Sequence, residues 1–114
     1  MISGLDHVGV TIPIGGEETA RSFYTAILGL NEVQKPDTIS ACGGLWYLLP
    51  DGRMLHLLAD AVFAPAPRAH PAFVADLDTL AAVTHPKWDD ELAPRRRFYL
   101  TDPFGNRLEF LEPQ

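Results

Sequence analysis

Three histidines and one glutamate, His7, His56, His70 and Glu109, carry the side chains in this sequence whose types and spacing could do chemistry together. Imidazole nitrogen and carboxylate oxygen are ligands for a divalent transition metal, with Zn²⁺, Ni²⁺, Co²⁺, Mn²⁺ and Fe²⁺ all admissible. Four such ligands on an octahedral ion leave two positions, for water or for both oxygens of a chelating substrate. The grouping rests on a repeat. Arg97 to Glu112 reads as two apolar runs joined by a turn rich in Asp, Pro, Gly and Asn, which is a β-hairpin, and Leu45 to Leu58 reads as the same hairpin. Pro50 and Pro103, Gly52 and Gly105, and His56 and Glu109 are each 53 residues apart. Alone, a strand histidine is ordinarily a partly buried polar residue, and a strand glutamate between Leu108 and Phe110 ordinarily faces water. Their register across a repeat is what singles them out.

The elements that must position these residues follow in order. Leu5 to Pro13 reads as a strand with Val8, Val10 and Ile12 on one face and His7, Gly9 and Thr11 on the other. Glu17 to Leu28 places Ala20, Phe23, Tyr24, Ile27 and Leu28 at helical spacing, with Glu17 and Glu18 at the positive end of the helix and Gly29 as its stop. Leu30 to Val33 makes a short strand, a Pro-containing loop from Gln34 to Gly44 follows, and the first hairpin completes a β-α-β-β-β unit. Asp60 to Arg68, with two prolines and no period, reads as a connector. The pattern then restarts. His70 to Ala75 is a short strand carrying His70 as the first strand carries His7, and Asp76 caps a helix offering Leu77, Leu80, Ala81 and Val83 for burial. Trp88 lies on a minimal strand before the second hairpin. His7 to His56 spans 49 residues and His70 to Glu109 spans 39; the ten fewer fall where loops absorb length changes cheaply.

The expected architecture is therefore α+β, one domain over residues 1–114 made of two βαβββ modules, 5–60 and 69–112, forming a curved eight-stranded sheet. Within 114 residues such a domain buries a real core without disulfide or structural metal. The single cysteine, Cys42, excludes an internal disulfide, and neither a signal-type N-terminus nor a run near the ~20 apolar residues of a membrane span is present, so the expectation is a cytoplasmic protein with no membrane partner. A net charge of −6 repels a phosphate backbone, and the one basic cluster, Arg95-Arg96-Arg97, is short and leads into a strand, which argues against nucleic acid. Alternate arginines of that cluster point in and out; one could hold a substrate carboxylate, but a solvated edge that discourages sheet pairing is the expected role. His85 and Glu112 are read as solvated surface residues.

Leu5-Asp6-His7-Val8, Phe23-Tyr24 with Leu28-Gly29-Leu30, His70-Pro71-Ala72-Phe73 and Asp102-Pro103-Phe104-Gly105-Asn106-Arg107-Leu108-Glu109 together resemble the vicinal oxygen chelate superfamily over nearly the whole chain. That superfamily includes glyoxalase I, bleomycin-resistance proteins, fosfomycin-modifying thiol transferases, methylmalonyl-CoA epimerase and extradiol dioxygenases. The resemblance implies a glyoxalase/bleomycin-resistance/dihydroxybiphenyl dioxygenase-like fold and metal ligands on the first and fourth strands of each module, here His7, His56, His70 and Glu109. Glyoxalase I and the epimerase are the closer templates, although the place of His56 is usually Glu or Gln there, which leaves this site one negative charge short of a two-Glu site. In the fosfomycin-modifying relatives a tyrosine at the place of Tyr99 faces the substrate, but Asp89, Asp90 and Glu91 stand where a lysine would be expected. That activity is disfavoured.

Tyr99 and Trp46 each lie ten residues before a ligand, Glu109 and His56, and so oppose them on the neighbouring strand. They are candidate substrate-binding residues, with a role as core aromatics as the alternative. The implied function is a divalent-metal-dependent lyase or isomerase acting on a small substrate that chelates the metal through two adjacent oxygens. The metal polarises a carbonyl and hydroxyl on adjacent carbons, acidifies the C–H between them and stabilises the enediolate. Glu109 is the candidate catalytic base. Two alternatives stand beside it: a metal-free, drug-sequestering, bleomycin-resistance-like binding protein, and an Fe²⁺-dependent extradiol-type dioxygenase that would need only three of the ligands. The resemblance also implies a homodimer, with modules paired within or between chains.

Overall fold

Alternation of apolar and polar residues builds the same four-stranded sheet twice. A computed structural model describes the chain from Met1 to Gln114. In the first half, strand β1 (His7–Pro13) leads into helix α1 (Glu17–Ala20), then β2 (Asn31–Val33), β3 (Leu45–Leu48) and β4 (Met54–Asp60). In the second, β5 (Ala72–Val74) leads into α2 (Leu77–Ala81), then β6 (Lys87–Asp89), β7 (Arg97–Thr101) and β8 (Arg107–Leu111). The strand orders are β1-β4-β3-β2 and β5-β8-β7-β6, with the first pair of each parallel and the other neighbours antiparallel. The fold is α+β, two β-α-β-β-β modules, and the eight strands hydrogen-bond as two sheets of four. The chain forms two compact units, Met1–Ala64 and Pro65–Gln114.

Both hairpins turn by the same atoms. Leu49 N–H donates to the Arg53 carbonyl at 2.8 Å and Gly52 N–H to the Leu49 carbonyl at 2.9 Å. In the second, Asp102 N–H donates to Asn106 at 2.8 Å and Gly105 N–H to Asp102 at 3.1 Å. Gly52 and Gly105 sit at φ 89° and 92°, where a Cβ would crowd the following carbonyl. The second turn is further pinned by the buried Asp102 carboxylate, which accepts from Phe104 N, Asn106 N and Asn106 Nδ2 at 2.8–2.9 Å.

In the first unit Ile12, Ala20, Tyr24, Leu45, Tyr47, Leu55 and Leu57 are buried. Tyr47 hydroxyl bonds Thr25 Oγ1 at 2.9 Å, tying the helical segment to β3. The helix is shorter than its apolar spacing predicts. After Ala20 it widens over Arg21–Thr25, where Ala26 N–H reaches the Arg21 carbonyl and Leu28 N–H the Phe23 carbonyl, five residues back. The extra residue per turn rotates later positions off the buried face, so Ile27 is exposed rather than packed. Part of the Gln34 to Gly44 loop is also regular, a tight helix over Asp37–Cys42.

The second unit buries Leu77, Phe98, Leu100, Leu108 and Phe110, with Phe110 between the rings of Phe73 and Phe98 at 5.5 and 5.7 Å. Asp76 caps α2 by accepting from Thr79 N–H at 3.2 Å. Val83 lies beyond the helix and is exposed. The strand expected to begin at His70 begins at Ala72 instead, so His70 precedes it; Pro71 has no N–H for the ladder, and only its carbonyl pairs, with Glu109 N–H at 3.1 Å.

Candidate functional site

The parallel ladder decides which side chains share a face. In the first sheet Gly9 stands opposite His56 and Trp46 stands opposite His56 on the other side; in the second, Ala72 and Tyr99 flank Glu109 in the same way. A histidine lies two residues before each small partner, His7 before Gly9 and His70 before Ala72. His7, His56 and Trp46 thus share one face of the first sheet, and Glu109 and Tyr99 share one face of the second with His70 at its entry.

In the first unit the His56 ring is sandwiched. Trp46 stacks on one side at 3.9 Å between centroids and 2° between planes, and His7 on the other at 4.0 Å and 19°. His56 is 7% exposed, and its Nε2 is buried without a hydrogen-bond partner. Burial, and then the neighbouring charge of His7, hold this imidazole below its ordinary pKa, which keeps it neutral as a ligand must be. His7 is half exposed, with Nδ1 against the Asp6 carboxylate at 2.8 Å. Trp46 also lines a cleft of about 330 Å³ under the Gln34 to Gly44 loop, with Glu17, Arg21, Glu32, Lys35 and Gly43.

In the second unit His70 Nδ1 donates to the Arg68 carbonyl at 2.8 Å, and its Nε2 lies 2.9 Å from Glu109 Oε1. Glu109 is 7% exposed, not a solvent-facing strand residue. Its other oxygen, Oε2, accepts from Arg97 Nη1 at 3.1 Å. Burial pushes the Glu109 carboxyl up, but the hydrogen bonds from His70 and then Arg97 outweigh it, and the group is held below the usual carboxylate range. Tyr99 meets the His70 ring edge-on at 5.7 Å.

Arg97 corrects the reading of the Arg95 to Arg97 run as a solvated edge. Its side chain is 12% exposed and bonds Asp89 at 3.0 Å and Glu91 at 3.4 Å as well as Glu109. The signal was strand parity: Arg97 is two residues before Tyr99 and so faces the same way as Glu109. Arg95 and Arg96 instead bind the chain end, Arg95 through the Glu112 carbonyl and Arg96 N–H through the Glu112 carboxylate at 2.9 Å, so Glu112 is partly buried and structural rather than a free surface group. His85 is exposed, as expected.

The donors fit a divalent ion in kind. On His7 and His70, Nδ1 is taken up by an oxygen acceptor, the second-sphere arrangement that leaves Nε2 to ligate. The buried, unpartnered Nε2 of His56 is an atom such an ion would satisfy. They stand as two pairs, His7 with His56 and His70 with Glu109; no group of three or more His, Cys, Asp and Glu side chains is arranged to hold a metal.

No protein-family model matches the chain, and no curated protein matches it. Among solved structures, a glyoxalase family protein from Bacillus anthracis is 38% identical, with all of this chain covering 98% of that one at a TM-score of 0.91. A glyoxalase/dioxygenase from Nostoc punctiforme, 24% identical over 97% of this chain and 92% of its own with a TM-score of 0.78, shares the fold. So does a lactoylglutathione lyase from Agrobacterium tumefaciens, 20% identical over 97% and 94% with a TM-score of 0.73. By its full-length identity to the Bacillus anthracis protein and by its twice-built β-α-β-β-β sheet, the chain belongs to the glyoxalase family, within the vicinal oxygen chelate superfamily of glyoxalases, bleomycin resistance proteins and dioxygenases.

Proposed function

We propose that the protein is a divalent-metal-dependent lyase or isomerase acting on a small substrate that presents two adjacent oxygens, with His7, His56, His70 and Glu109 as the protein ligands. The observation that carries this reading is the shared register: each sheet sets a ligand-type side chain opposite an aromatic, with a histidine two residues before its parallel partner. When bound, the metal supplies a fixed positive charge that polarises the substrate's carbonyl and hydroxyl oxygens. The chain's residues do the rest. Glu109, held ionised by His70 and Arg97, accepts the proton from the hydroxyl-bearing carbon and returns it to the former carbonyl carbon, while the hydroxyl proton passes to the other oxygen. His56, stacked between Trp46 and His7, cannot rotate its ring without losing both contacts. Tyr99 and Trp46 supply the walls against which the substrate lies.

We further propose a homodimer. Leu48 and Leu58 fall on the His56 face, two residues from Trp46 and from His56, and are 38% and 47% exposed. That is apolar surface a second copy would cover. We propose a cytoplasmic location, which the exposed, unpaired Cys42 supports because a free thiol suits a reducing compartment; no helix is long and apolar enough to cross a membrane.

The test is metal content of protein purified without a histidine tag, followed by deuterium exchange into hydroxyacetone in D₂O, which reads C–H deprotonation without knowing the natural substrate. Stoichiometric metal and metal-dependent exchange are expected. Glu109→Ala should reduce exchange by at least 10²-fold and weaken metal uptake. An active, metal-replete Glu109→Ala variant would reject the assignment, and wild-type protein that takes up no divalent metal would favour the metal-free binding reading.

A further inference from the structure

The cleft under the Gln34 to Gly44 loop holds two opposite charges that no ion pair neutralises. Its volume, about 330 Å³, is that of a small-ligand pocket. Four charged side chains line it, Glu17, Arg21, Glu32 and Lys35. Arg21 and Glu32 cancel, because the guanidinium Nε and Nη2 donate to the two oxygens of Glu32 at 2.8 and 3.1 Å. Glu17 and Lys35 remain. Both are half-buried, no cation pairs with Glu17, no carboxylate pairs with Lys35, and the two do not meet each other.

What separates them is one peptide group, Gly43–Gly44. Lys35 Nζ donates to the Gly43 carbonyl, and Gly44 N–H donates to Glu17 Oε2 at 3.4 Å. In a trans peptide the C=O and N–H point opposite ways, so the ammonium and the carboxylate oxygen stand at its two ends, roughly 8 Å apart at most. The peptide cannot swing aside. A Cβ on Gly44 would stand 2.1 Å from the Leu57 carbonyl oxygen, and the two glycines hold φ 75° and 79°, which seats this end of the loop hard against β4. The Trp46 ring, fixed by its stack on His56 at 3.9 Å, lines the same cleft with Val33 and the buried Leu45.

An uncharged ligand leaves both charges bare, and a simple anion or cation satisfies one while facing the like charge of the other. A zwitterion satisfies both. An α-amino acid carries its ammonium and carboxylate on one carbon, and with a charge-assisted hydrogen bond of about 2.8 Å at each end it spans such a gap alongside the peptide. We infer that this cleft binds a free α-amino acid with an aromatic side chain, its carboxylate on Lys35, its ammonium on Glu17 and its ring against Trp46. The site needs no metal ion.

The experiment is calorimetric titration of the full chain in EDTA with four probes. L-Phenylalanine carries all three groups, 3-phenylpropanoate lacks the ammonium, 2-phenylethylamine lacks the carboxylate, and L-alanine lacks the ring. Wild-type protein should bind phenylalanine about 10- to 100-fold more tightly than either single-charge analogue, the range of a charge-assisted hydrogen bond. It should bind alanine at least about 10-fold more weakly than phenylalanine, for want of the buried ring. Glu17→Gln keeps an acceptor for Gly44 N–H and should bring the phenylalanine to 3-phenylpropanoate ratio close to one. Lys35→Gln keeps a donor for the Gly43 carbonyl and should do the same for the ratio to 2-phenylethylamine, whose own binding should be retained. Phenylalanine that fails to bind, binds no better than both single-charge analogues, or keeps both ratios in the variants overturns the inference. Loss of every probe in Lys35→Gln also overturns it, since only the carboxylate contact should go, and alanine binding as tightly as phenylalanine removes Trp46 from the site.

Discussion

Arg97 places one cation among Asp89, Glu91 and Glu109, and that balance has a measurable cost when broken. Removing the guanidinium leaves three carboxylates facing one another, two of them largely covered. Arg97→Gln should lower the urea midpoint of metal-free protein, by less than the loss of a fully buried pair would because Glu91 and part of Asp89 remain solvated. A divalent ion should recover part of the loss, since it neutralises Glu109, the one of these carboxylates proposed as a ligand; a variant as stable as wild type in EDTA would show that the arginine contributes nothing. His56 gives a second handle. Its pKa is lowered in the folded state by burial and by His7, so between that value and the ordinary ~6.5 the unfolded chain binds more protons, and stability rises with pH through this window. Metal-free protein should therefore lose stability on going from pH 7.5 to 5.5, and His56→Gln should flatten that slope. Glu109 acts lower down: its depressed pKa stabilises the fold above the ordinary carboxylate value of ~4.3 and the benefit disappears as pH falls through the folded value. Metal uptake should also release protons, because an ion replaces the hydrogen shared by His70 Nε2 and Glu109 Oε1; buffers of different ionisation enthalpy read this in a calorimeter.

At the level of elements, the hairpins are the best-specified parts of the chain. Asp-Gly and Pro-Phe-Gly-Asn turns between alternating apolar residues admit few other structures, and the 53-residue offset seen in the letters recurs in the backbone hydrogen bonds. Gly52→Ala and Gly105→Ala should each cost about 1–2 kcal/mol by chemical denaturation, because each turn holds its glycine at positive φ. Loss at only one of them would deny that the two turns are equivalent. The helical segment was less legible. Its apolar spacing marked Ala20, Phe23 and Tyr24 correctly as buried, but nothing in the letters announces that the hydrogen bonds after Ala20 reach back five residues. His70 shows the same limit at a strand end. Its equivalence to His7 was readable from the module pattern, whereas its position outside the ladder depends on which backbone groups Pro71 leaves available.

For the whole molecule, the proposed dimer makes a direct prediction: Leu58→Lys, which puts a charge on the exposed apolar face of the first sheet, should shift sedimentation from dimer to monomer without loss of helix or strand signal. An unchanged dimer would move the interface elsewhere, and a monomeric wild type would remove it. The residue types and their spacing were enough to define the fold class, the duplicated module, the hairpins and the four candidate ligands, because strand parity and turn chemistry are local and each residue's neighbours along the chain dictate them. They could not show that Arg97 is turned onto Glu109 or that His56 is clamped between Trp46 and His7. Those facts depend on which strands lie side by side and in what register, and hence on hydrogen bonds between segments dozens of residues apart, so only the folded chain could decide them.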